Sequence, residues 1–243
     1  MVWHSHYNCR GVFNNRMKKD KVFVVIAAFN EEKQIAGVIK GLKKEGYENI
    51  VVVDDGSKDG TFNALKKSKV FALQHFINRG QGAALKTGID FSLKQGAEYI
   101  VTFDADGQHR ASDIERLLKP LLNKECDVVL GSRFLKKDSN TPFIRKIILK
   151  LGALVIRVMY GIKLSDSHNG FRVMSRNAAQ KIEITSDRME HASQIVEEIH
   201  KKKIKYKELP VTITYSEYSK KKGQSSWNSV KIGLRMLFRR FSH

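Results

Sequence analysis

Apolar residues fall in short unbroken runs along this chain, each closed by polar or acidic residues and followed by a stretch with helical spacing. VFVVIAAF at 22–29 is the first run, with a helical stretch reaching about Lys44, and NIVVVDD at 49–55 is the second. The alternation continues with a helix near 59–68, a strand near 69–76, a helix from about Gln81 to Gln95 and the strand YIVTFDAD at 99–106. A helix near 111–123 and the strand DVVLGSR at 127–133 complete it. Continuous apolar strands separated by helices predict an α/β fold whose mostly parallel sheet is covered on both faces. Ligands of such sheets gather beyond the carboxyl ends of the strands. Here those ends read Asn30-Glu31, Asp54-Asp55, Asp104-Ala105-Asp106 and Ser132-Arg133.

The pattern loosens further on. Residues 142–164 are apolar but carry five cations, and the loop SDSHNG leads to a short strand, FRVMS at 171–175. Met189, Ala192, Ile195 or Val196, and Ile199 predict an amphipathic helix over 189–203, followed by the strand IKYKELPVTITY. Residues 1–16 show no periodicity and read as a disordered extension, with the folded part starting at Met17. The divisions expected are a core over 17–133, a second part of the same domain over 134–215, and a basic tail over 216–243.

Composition narrows the function classes. The chain has 243 residues, with 44 Lys and Arg against 25 Asp and Glu, a formal charge of +19. Such an excess suits nucleic acid, an anionic membrane surface or phosphate-bearing substrates. Two cysteines, Cys9 and Cys126, supply no disulfide framework and fit a reducing compartment. No apolar run reaches the roughly 20 uncharged residues that span a bilayer.

DADGQH carries the most chemistry. Asp104 and Asp106 alternate at a strand end, so one turn can aim both carboxylates at a point where only a cation relieves their repulsion. Gln108 can add a neutral oxygen, and hard oxygen donors fit Mg²⁺ or Mn²⁺. An isolated D-x-D is more often an acidic turn; its place in a series of parallel strands favours the metal. In Asp54-Asp55-Gly56-Ser57 one carboxylate is expected to accept from a ribose or base and the other to cap the next helix. Asn78-Arg79-Gly80-Gln81-Gly82 is a glycine-rich strand-to-helix turn, a weak signal alone.

In order along the chain, IAAFNEE, VVVDDGSKDGT, NRGQGAALKTGI, FDADGQH and GSRF make residues 22–133 resemble the nucleotide-sugar-binding core of family-2 glycosyltransferases. DSHNGFRVMSRNA, KIKYKELPVTI and KKGQSS extend the likeness to the dolichol-phosphate mannosyltransferase and polyprenyl-phosphate glycosyltransferase branch. The resemblance implies the GT-A fold, a Rossmann-like sheet flanked by helices. By it, Ala27, Phe29, Glu31, Val53 and Asp55 surround the nucleobase and ribose, Ala27 standing where the family often has proline. Asp104, Ala105, Asp106 and Gln108 hold a Mg²⁺ or Mn²⁺ ion and the sugar diphosphate, and Arg133 meets a phosphate or the sugar. The function implied is inverting, metal-dependent transfer of a hexose from a GDP-mannose or UDP-glucose type donor to a polyprenyl or dolichyl phosphate.

A phosphate acceptor is already anionic and needs cations rather than a general base; Arg133, Arg172 and Lys222 are the candidates. The related pattern has an arginine after the PV strand, where this chain has Thr214, Tyr215 and Ser216. Transfer to a sugar hydroxyl, as in surface polysaccharide or glycolipid synthesis, is the alternative. That chemistry needs a general base, for which Glu190 beside His191 is the best candidate. Asp166 and Arg172 could bridge to fix their loop or contact substrate directly, and the resemblance places them at the active-site rim. From Lys220 to His243 there are seven Lys or Arg and no acid, and Trp227, Val230, Leu234, Leu237 or Phe238, and Phe241 form one apolar stripe. This predicts a basic amphipathic C-terminal helix lying on a membrane surface, with residues 143–163 as a second such stretch. The expectation is peripheral association with the cytosolic membrane face, alone or with a separate membrane subunit. No nucleic-acid partner is expected, because the strand-end carboxylates would repel a phosphate backbone.

Overall fold

The computed structural model describes residues 19–135, 164–166 and 169–214. Seven strands form one sheet: β1 (Val22–Ala28), β2 (Ile50–Asp54), β3 (Phe71–Gln74), β4 (Tyr99–Asp104), β5 (Val128–Ser132), β6 (Arg172–Ser175) and β7 (Tyr206–Pro210). Their order across the sheet is β3-β2-β1-β4-β6-β5-β7. All pairings are parallel except those of β6, which runs antiparallel between β4 and β5. Residues 172–210 therefore complete the sheet begun by 22–132. That arrangement is the expected mostly parallel α/β fold, with the one reversed strand as a feature the apolar pattern does not reveal.

The strands are apolar throughout because both faces are covered. Val24, Ile26, Val52, Val101 and Val129 pack against α1 (Ile35–Lys44) and α4 (Asp113–Leu122), while α2 (Thr61–Lys66) adds Leu65. Phe23, Val25, Val51, Val53, Ile100 and Met174 face α3 (Gln81–Lys94), α5 (Arg176–Lys181) and α6 (His191–Lys201). Gly88 lets α3 lie on β1, since a Cβ there would sit 2.4 Å from Val25 Cγ1. Helix α5 was not expected; at six residues, started by Ser175 Oγ accepting from Ala178 N, it is too short to display a helical period.

Among the described residues no helix is long and apolar enough to cross a membrane. The extension over 1–16, the basic stretch 143–163, Lys222 and the amphipathic helix expected in 216–243 lie outside the described residues.

Candidate active site

Register places the predicted residues together. Ala27 of β1 pairs with Val53 on one side and Asp104 on the other, and Arg172 of β6 pairs with Thr102 and Leu130. Alternation then sets Thr102, Asp104 and Arg172 on the sheet face that α3 and α6 cover.

Asp104 ends β4 and is held from several sides. Its Oδ2 accepts from His109 Nε2 at 2.8 Å, and its Oδ1 from Gln81 Nε2 at 3.3 Å. Gly170 packs directly on the carboxylate; a Cβ there would lie 2.5 Å from Oδ1. His109 is fixed by the rings of Phe103 and Phe171, at 5.4 and 4.9 Å, and by a backbone bridge to Ile213. Burial alone would raise the Asp104 pKa, but His109, Arg172 and His191 outweigh it and hold the carboxyl below its ordinary value.

Asp106 behaves oppositely. Gln108 donates to it twice, through its backbone N at 3.0 Å and through Nε2 at 2.7 Å. Burial first, and then the charge of Asp104, push its pKa up to about 6. Two carboxylates split in this way, with an amide oxygen nearby, fit a hard divalent cation. Among the described residues no three His, Cys, Asp or Glu converge on a metal position. The donor set is therefore a partial one that substrate phosphate and water would complete, as is usual for Mg²⁺.

Cationic and neutral groups lie behind this pair. Arg172 is 2% exposed and its Nη1 has no hydrogen-bond partner. Burial lowers its pKa to about 10 against the pull of Asp104 and Asp166, so it is charged at neutral pH. His191, at the start of α6, is pushed down to about 4 by burial and by Arg172 and is neutral. Its Nδ1–H donates to Arg188 O at 2.7 Å, which fixes the tautomer. Glu190, partly buried, is the residue before the first turn of α6.

The Asp54-Asp55 pair is committed to the fold. Asp54 accepts from Ser57 N at 3.1 Å and from Gln74 Nε2 at 3.0 Å. Asp55 accepts from His75 Nδ1 at 2.8 Å, Arg79 N at 3.0 Å and Gly80 N at 2.6 Å, so it clamps the glycine-rich turn. Neither caps the following helix, contrary to expectation. Asp59, two residues before α2, takes the Thr61 N–H instead, because the turn at Gly56 (φ 70°) carries the chain past Asp54.

Of the two readings of Asp166 and Arg172, the bridge between them is not formed. Asp166 Oδ2 accepts from Arg133 Nε at 2.6 Å and from its backbone N at 3.1 Å, a buried pair. Glu208 of β7 holds the same loop by accepting from Ser165 N and Asp166 N. Arg172 has no bond to Asp166 because Arg133, leaving the end of β5, reaches it first. Of the other predicted residues, Phe29 is 38% exposed at the strand-end surface, Glu31 and Ala105 are buried, and Val53 is in the core. The roles of His109, Gln81 and His75 escaped the sequence reading, and Gly170 stood in the GFR segment without its contact to Asp104 being foreseen. His109 and Gln81 stood inside motifs already singled out, five residues from Asp104 and within the glycine-rich turn, but nothing in their spacing marks the contacts they make.

A family model described as "Glycosyl transferase family 2" matches residues 23–183 of this chain. The chain belongs to that family. It is a glycosyltransferase, and its relatives fall in the polyprenyl-phosphate branch. An uncharacterised protein of Methanocaldococcus jannaschii is 42% identical over 229 residues, 93% of each chain. A UDP-N-acetylglucosamine–dolichyl-phosphate N-acetylglucosaminyltransferase of Methanococcus voltae is 32% identical, covering 90% of this chain and 94% of its own. An undecaprenyl-phosphate mannosyltransferase of Micrococcus luteus is 31% identical over 68% of this chain and 70% of its own. In three dimensions, this family-2 chain resembles glucosyl-3-phosphoglycerate synthase of Mycobacterium tuberculosis with Mn²⁺, UDP and phosphoglyceric acid. That match has a TM-score of 0.68 at 15% identity, over 92% and 81% of the two chains. At that identity the likeness shows the fold, the GT-A arrangement.

Proposed function

We propose that this family-2 glycosyltransferase moves a hexose or N-acetylhexosamine, with inversion, from a nucleotide-diphospho-sugar to a polyprenyl or dolichyl phosphate. The observation that carries the reading is the strand-end carboxylate pair with Arg172 buried behind it: one place prepared for a cation and an anion together. Asp104 and Asp106, with Gln108, would hold Mg²⁺ or Mn²⁺, which supplies charge stabilisation for the departing diphosphate. Ala105 lies between them in the turn. Phe29, Glu31 and Ala27 border the nucleobase and ribose; Val53, whose side chain is in the core, would meet them only through its backbone. Asp55 has roughly four acceptor positions; three are filled by His75, Arg79 and Gly80, leaving one for a donor N–H or ribose hydroxyl.

Arg172 and Arg133 hold positive charge at the end of the sheet where the acceptor phosphate would approach, and Lys222 belongs to the same role. A phosphate oxygen is already a nucleophile, so no proton need be removed. The archaeal and bacterial relatives named for dolichyl-phosphate and undecaprenyl-phosphate transfer support the acceptor class. The enzyme would then work at the cytosolic face of a membrane, with or without a membrane subunit.

The test incubates the protein with radiolabelled UDP- and GDP-sugars, Mg²⁺ or Mn²⁺, and purified polyprenyl phosphate. Label is expected in the organic phase. If Glu190→Gln abolishes turnover while the polyprenyl phosphate never takes up label, the acceptor is a hydroxyl and the reading is wrong.

A further inference from the structure

Large apolar side chains that remain in water are unevenly placed on this molecule. Five are exposed among the described residues: Phe29, Phe71, Phe76, Ile77 and Leu135. Four of these five leave the carboxyl ends of strands, Phe29 after β1, Phe76 and Ile77 after β3, and Leu135 after β5. They lie at the end of the sheet that carries Asp104 and Asp106, Phe76 and Ile77 side by side at the β3 edge and Leu135 beyond β5, with four strands between. Scattered exposed apolar residues need no explanation, but adjacent ones gathered on one rim mark an interaction surface.

Phe76 and Ile77 form the tip of this rim, with exposures of 105% and 71%. Their exposure is built in. The backbone of Ile77 packs against Gly56, where a Cβ would come within 2.7 Å of the Ile77 carbonyl carbon. On either side, His75 Nδ1 and Arg79 N are both anchored on Asp55. A loop tied at both ends and backed in the middle cannot fold its two apolar side chains inward. Exposed cations stand at this end: Lys58, Arg79 and Arg110 occupy strand-end loops, and Arg188, just before α6, packs on Gly80. The exposed acids at this end, Glu32, Asp59 and Asp187, are fewer than these four cations, and Asp187 is paired with Arg79. Leu135 and Leu164, between which the basic apolar sequence 136–163 runs, lie at this end too.

We infer that the Phe76-Ile77 tip inserts into an anionic lipid surface and sets the strand-end face of the protein against the bilayer. Apolar tips among cations suit the boundary between headgroups and acyl chains, where apolar burial and electrostatic attraction add. The inference concerns the surface and goes beyond the proposed reaction; it holds whichever acceptor is used.

The test uses the full chain and vesicles of phosphatidylcholine with 30% phosphatidylglycerol, a roughly typical anionic fraction. Phe76→Trp, in a background with Trp3→Phe and Trp227→Phe, should show blue-shifted emission on adding vesicles, and quenching by lipids brominated in the acyl chains. The double variant Phe76→Ser with Ile77→Ser should co-sediment with the vesicles at least about tenfold more weakly than wild type. Its turnover on a short water-soluble polyprenyl phosphate should match wild type. Emission of the Phe76→Trp variant indifferent to vesicles, together with wild-type sedimentation of the double variant, would overturn the inference. A raised donor KM on the soluble acceptor would also overturn it, by making the tip a lid over the nucleotide. Normal vesicle insertion with no sugar transfer would leave the inference standing and count against the proposed reaction instead.

Discussion

Two acidic pairs close two neighbouring parts of this sheet, Asp54-Asp55 after β2 and Asp104-Ala105-Asp106 after β4, and the fold treats them in opposite ways. The first pair is mostly occupied by the protein. Asp55 alone takes three hydrogen bonds, two of them from the backbone of the glycine-rich turn. The second pair is left in conflict, with Asp104 held down by His109 and Arg172 and Asp106 driven up to about 6. The difference is the supply of donors rather than of carboxylates. Asp55 takes two backbone N–H groups from one turn and becomes part of the scaffold; Asp106 takes one, from Gln108, and remains beside the charge of Asp104, a conflict a cation would relieve.

The largest effects should come from disturbing the conflicted pair. Asp104→Asn is expected to lower turnover at least ~100-fold, measured with saturating Mg²⁺. Gly170→Ala should do nearly the same without touching a carboxylate, because its Cβ would fall 2.5 Å from Asp104 Oδ1. Asp55→Asn should show itself in stability: one oxygen cannot serve both backbone N–H groups and His75. A loss of roughly 1–3 kcal/mol is expected, or about 3–10 °C in the melting temperature for a chain of this length. Asp106→Asn should leave the metal-free melting temperature at pH 8 unchanged or higher while turnover collapses. If both Asn variants lose stability equally, the contrast between the pairs is lost.

Titration sharpens the same contrast. The folded pKa of Asp106, about 6, lies above its ordinary value, so between about pH 4 and 6 the folded chain keeps a proton that the unfolded chain has released. Its contribution to stability therefore declines as pH rises through that window, and Asp106→Asn should remove that slope. His191 has the reverse sign. Its folded pKa of about 4 lies below the ordinary 6.5, so stability is complete above pH 6.5 and falls as pH drops towards 4. His191→Gln should flatten this acid limb in urea unfolding measured across pH. The smallest effect is expected from Glu190→Gln, under about threefold in turnover on polyprenyl phosphate, since removing a group outside the reacting set costs little transition-state stabilisation.

Much of this could be read from residues alone. The runs VFVVIAA, IVVVD, YIVTFD and VVLGS read as buried strands because they are short, rich in β-branched residues, closed by polar residues and set between helical stretches. Asp104, Asp106, Arg133 and Arg172 were legible as a group because they sit at strand ends. What stayed hidden depends on long-range placement. The reversed β6 brings Gly170 and Arg172 to Asp104 from 66 and 68 residues away, read from the numbering. The pairing of Asp166 with Arg133 joins residues 33 apart in sequence, and the occupation of Asp55 depends on the return of the chain at 75–80.

The account stands most directly on metal binding. Mn²⁺ should be titrated, in the presence of UDP, into wild type, Asp104→Asn and Asp54→Asn, with bound ion read by electron paramagnetic resonance. The expected result is a bound ion in wild type and Asp54→Asn that is lost in Asp104→Asn. Equal binding in Asp104→Asn and wild type would contradict the assignment of the β4 pair as the metal and diphosphate site.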